Sequence, residues 1–363
     1  MLILTINAGS SSLRLSLFEP SGVGWVRLAE AHYDDNDASR LNEFLASVDI
    51  AQIGRVVHRV VHGGTGLATP TLINARVERE IERLIPLAPL HNPVALRWMR
   101  VCRELLGEKI VQVALFDSGF YQSLPDVARH YALPRQLSQR YGIRRYGFHG
   151  IAHRAMWLRW RKIKPELAGG GRVISIQLGS GCSITAIKDG QVVDTSMGFS
   201  PLEGLVMATR SGDLDPGVVL FLQREAGLDV QAVEQLLSEK SGLLGVSGCS
   251  GDMRELLVSK SPDAQLAVEL YCYRVRKYIG AYLAVLGGVD GVLIGGGVGE
   301  NSALVREKIF NGMAWLGIAL QTNANESLEA SERCISLPEK RSEVWVIAVD
   351  EASVMVEEAL ALF

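Results

Sequence analysis

Leu2-Ile3-Leu4-Thr5-Ile6-Asn7-Ala8-Gly9-Ser10-Ser11-Ser12-Leu13-Arg14-Leu15-Ser16-Leu17-Phe18 stands at the start of the chain. Leu2 to Ile6 is β-rich, Asn7 to Ser12 is turn-forming, and Leu13 to Phe18 alternates with period two. The stretch predicts a strand, a Gly/Ser turn and a returning strand. A similar pattern recurs at residues 172–195. Val173-Ile174-Ser175-Ile176 reads as a strand and Gly179-Ser180-Gly181-Cys182-Ser183 as a turn. Ile184 to Lys188 reads as a strand, Asp189-Gly190 as a tight turn, and Gln191 to Asp194 as a further strand. A Gly/Ser hairpin near the start of each half points to two similarly built domains, a weak signal because any β-hairpin shares part of it.

Between the hairpins the apolar period lengthens. Asn92 is read as a cap, with Pro93 opening a helix to about Leu106. Ser261-Pro262 repeats this ahead of a helix to about Leu286, with Leu266, Leu270, Tyr271, Val275, Tyr278, Ile279 and Tyr282 at helical spacing. Val292-Leu293-Ile294 and Val344 to Ala348 read as buried strands, and a terminal helix starts near Glu351. Strands alternating with helices give an α/β class. No Pro- or Ser-rich linker separates the halves.

The chain has 363 residues, 48% hydrophobic and 21% charged, enough for two domains with full cores. A net charge of −3 provides no basic field, so neither nucleic acid nor a membrane surface is expected as a partner. The five cysteines are dispersed without a C-x-x-C pair, which fits a reducing cytoplasm better than a disulfide framework. No targeting segment is expected. Ala281 to Gly299 approaches membrane-spanning length, but it holds Asp290 and seven glycines and reads as helix end, loop, strand and turn.

Three Gly-rich loops are candidates for holding phosphate: Asn7–Ser12, Leu178–Ser183, and Gly295-Gly296-Gly297-Val298-Gly299-Glu300-Asn301 ahead of a helix beginning near Ser302. Glycine lets backbone N–H groups come close to an anion. The third is neither a Walker A loop nor a Rossmann fingerprint. Arg59, His149 and Arg210 each sit beside glycines, where cations can meet the charge of a transferring phosphoryl group. Asp117 and Glu351 follow apolar strands, a position suited to holding Mg²⁺; Asp350 reads equally well as a helix cap. His58/His62 and His149/His153 are H-x-x-x-H pairs without the H-E-x-x-H glutamate, a weak zinc pattern.

Several of these segments resemble acetate kinase. They are Asn7–Leu13, His58-Arg59-Val60-Val61-His62-Gly63-Gly64, Ala88-Pro89-Leu90-His91-Asn92-Pro93, Tyr146-Gly147-Phe148-His149-Gly150, Met197-Gly198-Phe199-Ser200-Pro201-Leu202-Glu203-Gly204 and Gly299-Glu300-Asn301-Ser302. The resemblance runs in family order from residue 3 to about residue 355. It implies two ribonuclease-H-like domains of the actin and sugar kinase type, with a nucleotide cleft between them. The boundaries expected are 1–121 plus 353–363 for the N-terminal domain and 122–352 for the C-terminal, nucleotide-binding one. It also implies reversible, in-line transfer from ATP to acetate, giving acetyl phosphate and ADP with Mg²⁺ or Mn²⁺, in a cytoplasmic homodimer.

The resemblance assigns roles position by position. Asn7 and Glu351 hold the metal. Asp117, His149 and Arg210 are catalytic. Arg59 faces the acid, and Val61, Leu90, Phe148 and Pro201 form the pocket for its methyl group. Arg14, Gln177, Leu178, Gly179, Ser180, Gly181, Asp252, Met253, Arg254, Gly297, Val298, Gly299, Glu300 and Asn301 contact the nucleotide. Arg14 replaces the usual lysine, Gln177 a histidine, Ser180 an asparagine and Asp350 an asparagine, while Cys182 stands for a small hydroxyl residue. Arginine for lysine exchanges a point charge for a planar fork. Competing readings are a kinase for butyrate or another short acid, a non-catalytic nucleotide-binding relative, and a metal hydrolase using the histidine pairs. Acetate is already ionised at neutral pH, so Asp117 is expected to organise the site rather than to remove a proton.

Overall fold

The computed structural model describes residues 1–363 except Ser10, Ser11, Val23, Leu328, Glu329, Glu339 and Lys340. The chain divides into two compact units. Unit 1 comprises Met1–Gln122, Phe148–Ala155 and Asp350–Phe363; unit 2 comprises Ser123–Gly147 and Met156–Val349. Unit 1 therefore takes in Phe148–Ala155, which the linear boundaries put in the second domain. The physical reason is local packing: Tyr121 donates its hydroxyl to the Phe148 carbonyl at 2.5 Å, and Arg154 pairs with Glu358.

Unit 1 is built on β1 (Leu2–Ala8), β2 (Leu13–Ser21), β3 (Gly24–Tyr33), β4 (Ile53–Val60), β5 (Thr71–Leu72) and β6 (Val111–Phe116). They form one sheet in the order β3-β2-β1-β4-β6-β5. β1, β4 and β6 run parallel; β2, β3 and β5 run antiparallel to their neighbours. The Asn92–Leu106 helix buries Ala95, Leu96, Trp98, Met99 and Cys102 against the apolar residues of β1, β4 and β6. Fully burying each large side chain contributes about 1.5–3 kcal/mol.

Unit 2 repeats the plan with β7 (Arg172–Leu178), β8 (Cys182–Lys188), β9 (Gln191–Thr195), β10 (Gly291–Gly295), β11 (Arg333–Cys334) and β12 (Glu343–Val346). The order is β11-β12-β10-β7-β8-β9, with β7, β10 and β12 parallel and β8, β9 and β11 antiparallel. Read from the opening hairpin outwards, the two sheets match strand for strand in order and direction. The duplication suggested by two Gly/Ser hairpins thus extends to the whole sheet. Asp189 and Gly190 both have positive φ (49° and 84°), as the tight turn between β8 and β9 requires.

Several local readings change. The Pro262–Leu286 helix buries Ala264, Ala267, Val268, Tyr271, Cys272, Val275, Ile279, Tyr282 and Leu286, while Leu266 faces solvent. Small Ala264 and Ala267 take the inward positions because the helix packs closely on its neighbours. Asn92 does not cap its helix. Its amide is fully buried, accepts from the His62 N–H at 3.2 Å and donates to the His62 carbonyl at 3.1 Å. A side chain able to both donate and accept is better used bridging a strand end than capping. No helix among the described residues is long and apolar enough to cross a membrane.

His58 lies buried within unit 1, its Nε2 2.6 Å from Gln112 Oε1, while Gln112 Nε2 donates to the Met99 carbonyl at 3.2 Å. Burial pushes its imidazole down to about 4, against the opposing pull of the Gln112 contact. His153 is also pushed well down, by burial first and by His149 second. Between pH 6.5 and 4 the unfolded chain binds protons that these folded sites refuse, so stability falls as pH falls through that window. At pH 4.5 the His58 contribution is about 2–3 kcal/mol. Urea titrations at pH 7.5 and 4.5 should show this loss, and His58→Gln should flatten the slope; an unchanged slope would contradict the assignment.

Candidate active site

Parallel strands β1, β4 and β6 end together, and their carboxyl ends bring three polar side chains into contact. Arg59 on β4 donates Nε to both Asp117 oxygens at 3.1 Å and Nη2 to Oδ2 at 2.6 Å. Its Nη1 donates to Asn7 Oδ1 at 3.0 Å, and Asn7 Nδ2 donates to Glu351 at 2.6 Å. One chain of hydrogen bonds thus runs Glu351–Asn7–Arg59–Asp117, joining residues 344 positions apart. Burial alone would lower the Arg59 guanidinium, but the charges of Asp117 and Glu351 and the Asp117 hydrogen bonds hold it above its ordinary range. Asp117 has no exposed surface, and it opens the turn Asp117–Tyr121 directly after β6.

The hairpin turn itself closes through the Gly9 N–H donating to the Ser12 carbonyl at 2.8 Å. Ser10 and Ser11, part of the expected phosphate loop, lie outside the described residues. Arg14 is paired across the strands with Asn7, so the two share a sheet face; Asn7 is buried and Arg14 is exposed. Asp350 accepts from the Ser353 N–H at 3.1 Å and caps the Glu351–Leu360 helix, which is the simpler of its two readings.

His149 holds a left-handed backbone (φ 56°), a conformation non-glycine residues seldom adopt. It precedes the Gly150–Ile163 helix, whose first residue presses on the Asp117 turn. A Cβ at Gly150 would stand 1.9 Å from the Asp117 carbonyl oxygen. The two catalytic expectations in unit 1, Asp117 and His149, are therefore held by one backbone contact. Val61 and Phe148 are buried, and the Phe148 ring stands 5.3 Å from that of His62. Leu90 is 36% exposed, and Pro201 belongs to unit 2.

In unit 2 the expected nucleotide segments converge on β7 and β10. The Gly179 N–H donates to the Gly181 carbonyl at 3.1 Å, and the Ala208 N–H donates to the Ser180 carbonyl at 2.9 Å. A Cβ at Gly251 would lie 2.9 Å from the Ala208 carbonyl, so the strand-turn and the Asp252 segment both touch residue 208. Gly296 has φ 81°, and a Cβ there would lie 2.5 Å from the Leu178 carbonyl. Gly297 is open, with nothing within 4 Å of its Cβ position. Cys182 Sγ lies 3.3 Å from the Gly179 carbonyl and 3.1 Å from the Tyr271 hydroxyl, and burial pushes the thiol up to about 11. Arg210 donates Nη1 to the Pro201 carbonyl at 3.1 Å.

Some expected contacts are used differently. Gly297–Asn301 is itself a helical turn, followed by the Ala303–Phe310 helix capped by Ser302. Glu300 Oε1 accepts from the Gly296 N–H at 2.8 Å and the Val349 N–H at 3.3 Å, so its carboxylate braces the glycine turn. Met253 is buried, leaving only its backbone for a ligand. Asp252 caps the Met253–Val258 helix and pairs with Arg254 at 2.5 Å. Gln177 Oε1 is buried without a hydrogen-bond partner among the described residues, at the register position opposite Gly295.

A sequence profile of the acetokinase family matches residues 29–357. The chain belongs to the acetokinase family. Acetate kinase of Chloroherpeton thalassium is 44% identical over 314 residues, covering 85% of this chain and 75% of the relative. Acetate kinase of Phocaeicola vulgatus is 39% identical, covering 100% of this chain and 99% of the relative. Among solved structures, Porphyromonas gingivalis acetate kinase superposes with a TM-score of 0.86 at 37% identity, over 99% of each chain. A propionate kinase from Francisella tularensis superposes with 0.89 at 33% identity, over 100% of each. Acetokinase membership makes the chain a kinase, the enzyme class expected from its motifs.

Acetokinase-family chemistry raises the question of a metal. Mg²⁺ takes hard oxygen ligands and leaves several positions to water and phosphate, so few protein ligands suffice. Glu351 offers a carboxylate and Asn7 an amide oxygen, the latter accepting from Arg59. The formal charges of Arg59, Asp117 and Glu351 leave one negative charge over. These residues fit a cation that is carried mainly by phosphate. Among the described residues no group of three or more His, Cys, Asp or Glu side chains forms a cage of its own.

Proposed function

We propose that this chain catalyses reversible phosphorylation of acetate by ATP, giving acetyl phosphate and ADP, with propionate as a second acceptor. The observation that supports this most is the Glu351–Asn7–Arg59–Asp117 hydrogen-bonded chain in an acetokinase-family sequence. The family's propionate kinase neighbour supports the wider acid range.

Acetate attacks phosphorus as the carboxylate it already is, so no side chain has to remove a proton. Asp117 instead fixes the plane of the Arg59 guanidinium, accepting from two of its nitrogens. Arg59 in that setting binds the acid's carboxylate and meets charge on the transferring group. Arg210 adds a positive hydrogen-bond donor and His149 a ring N–H donor to the equatorial oxygens, each such contact being worth roughly 3 kcal/mol. Val61 and Phe148 offer an apolar wall for a methyl or ethyl group. Open Gly297 and the Gly179–Gly181 turn let the nucleotide's phosphates approach the backbone. Bound with the nucleotide, Mg²⁺ would neutralise phosphate charge, held on the protein side by Asn7 and Glu351. Arg14, Leu178, Val298, Asp252 and Arg254 complete the nucleotide contacts in this reading, and the working form is a cytoplasmic homodimer.

Hydroxylamine trapping tests it. Purified protein with ATP and Mg²⁺ should form hydroxamate from acetate and propionate, with butyrate poorer. Absence of ATP- and acetate-dependent acyl phosphate across Mg²⁺ concentrations and phosphate donors would refute the proposal, and a preference for butyrate would move the acid specificity.

A further inference from the structure

Glu203 lies in unit 2 within the segment that carries Pro201, and none of the roles above uses it. Its Oε1 accepts from Arg145 Nη2 at 2.6 Å, and its Oε2 accepts from the Tyr131 hydroxyl. The Tyr131 oxygen in turn accepts from the Phe199 N–H at 2.8 Å. Arg145 Nη1 donates to the Thr195 carbonyl at 3.0 Å and the Ser196 carbonyl at 3.3 Å. The Tyr146 N–H donates to the Gly198 carbonyl at 3.0 Å. Room for this cluster depends on Gly198, where a Cβ would stand 1.5 Å from Glu203 Oε2 and 2.0 Å from the Tyr131 oxygen. One residue further, the Gly204 N–H donates to Asp213 Oδ1 at 2.9 Å, and Tyr278 donates to Asp213 Oδ2 at 2.8 Å.

Both ends of the segment that carries Pro201 and Arg210 are therefore tied down, at Phe199 and Glu203 on one side and at Asp213 on the other. Within it, Arg210 is held on the Pro201 carbonyl. The same Glu203 carboxylate anchors Arg145, three residues before Phe148 and four before His149 in the chain. Burial, then the Glu203 hydrogen bond, raises the Tyr131 phenol, so it stays a donor over the working pH range.

We propose that Glu203 is a positioning residue for phosphoryl transfer: its carboxylate locks the Met197–Gly204 segment onto Arg145 and Tyr131 and thereby fixes where Pro201 and Arg210 stand. The inference rests on the reading of Pro201 and Arg210 as contacts to the acid and the transferring group. A half-buried carboxylate with two fixed partners, Arg145 and Tyr131, holds a loop more rigidly than apolar packing, because each bond is directional. The Glu203 side chain is 31% exposed and the Arg145 side chain 17% exposed, so the pair is only partly screened.

The test compares Glu203→Gln, Tyr131→Phe and Arg210→Ala in the full-length protein, reading kcat, KM for acetate, ADP affinity by calorimetry and Tm. For Glu203→Gln, kcat should fall on the order of a hundredfold with a raised KM for acetate, while ADP affinity stays within about twofold. Tyr131→Phe should show the same split at roughly a tenfold loss. A folded Glu203→Gln enzyme with kcat within about threefold of the parent overturns the proposal, as does an equal loss of ADP affinity and kcat, which marks general damage to the unit. If Glu203→Gln does not fold, Tyr131→Phe decides by the same criteria. Loss of activity in Arg210→Ala with normal activity in Glu203→Gln refutes the lock alone. Normal activity in Arg210→Ala refutes the underlying reading of Arg210.

Discussion

Asp117→Ala should destabilise unit 1 by about 3–5 kcal/mol, because it leaves the Arg59 guanidinium buried without its main counter-charge. The Arg59 side chain is 13% exposed and that of Asp117 is 0% exposed, so water cannot replace the lost partner. Breaking such a pair costs more than the pair contributes, since the surviving charge still pays its desolvation. The double variant Asp117→Leu with Arg59→Met removes both charges and should recover to within about 2 kcal/mol of the parent. Activity should not recover with stability. In the proposed mechanism, loss of Arg59 takes a positive donor away from the transferring group, with an expected loss of about 10²–10³ in kcat. Urea unfolding and hydroxamate assays on the same preparations separate the two effects. A single variant with an unchanged urea midpoint would show that the ion pair is not desolvated as described. A double variant that regained turnover would remove Arg59 from the mechanism.

Gly150→Ala should be a strongly damaging one-carbon change in unit 1. Helix propensity argues the other way, favouring alanine by about 1 kcal/mol inside a helix. The added carbon, however, would stand 1.9 Å from the Asp117 carbonyl oxygen and 2.8 Å from the Phe120 Cβ. Neither obstacle can rotate away, because one is backbone and the other is the first atom of a side chain. The helix start and the Asp117 turn must separate, which moves His149 on one side and Asp117 on the other. A displacement of about 1 Å is enough for a hundredfold loss in rate. Gly280→Ala is the matched control. It sits inside the Pro262–Leu286 helix with nothing within 4 Å of its Cβ position. That change should stabilise by about 1 kcal/mol and leave turnover intact. Equal behaviour of the two variants would refute the clash.

Local periodicity made much of the fold legible. Both Gly/Ser hairpins, the Asn92–Leu106 helix, the Pro262–Leu286 helix and the Val292-Leu293-Ile294 strand appear where spacing put them. Such signals survive because they depend on neighbours a few residues away. Spacing failed where a side chain had a distant use. Asn92 looked like a cap and instead bridges His62. Leu266 kept helical spacing but faces solvent, because the partner surface fits alanines. Glu203 stood inside a quoted motif without a role, since Arg145 and Tyr131 are 58 and 72 residues away.

The opening stretch shows the division most clearly. By itself, Leu2 to Phe18 determined a hairpin with a glycine turn, because alternation and turn residues act over a few positions; the structure carries the first strand on to Ala8 and sets Asn7 opposite Arg14. It could not determine that β1 pairs with β4, or that the matching sheet of unit 2 repeats the same order strand for strand. Nor could it determine that Asn7 bridges Arg59 to Glu351, at the far end of the chain. Those facts rest on contacts across tens to hundreds of residues, and only closing the parallel strands into one sheet brings such side chains to the same edge. The residue types were written in the sequence; their meeting was decided by the sheet.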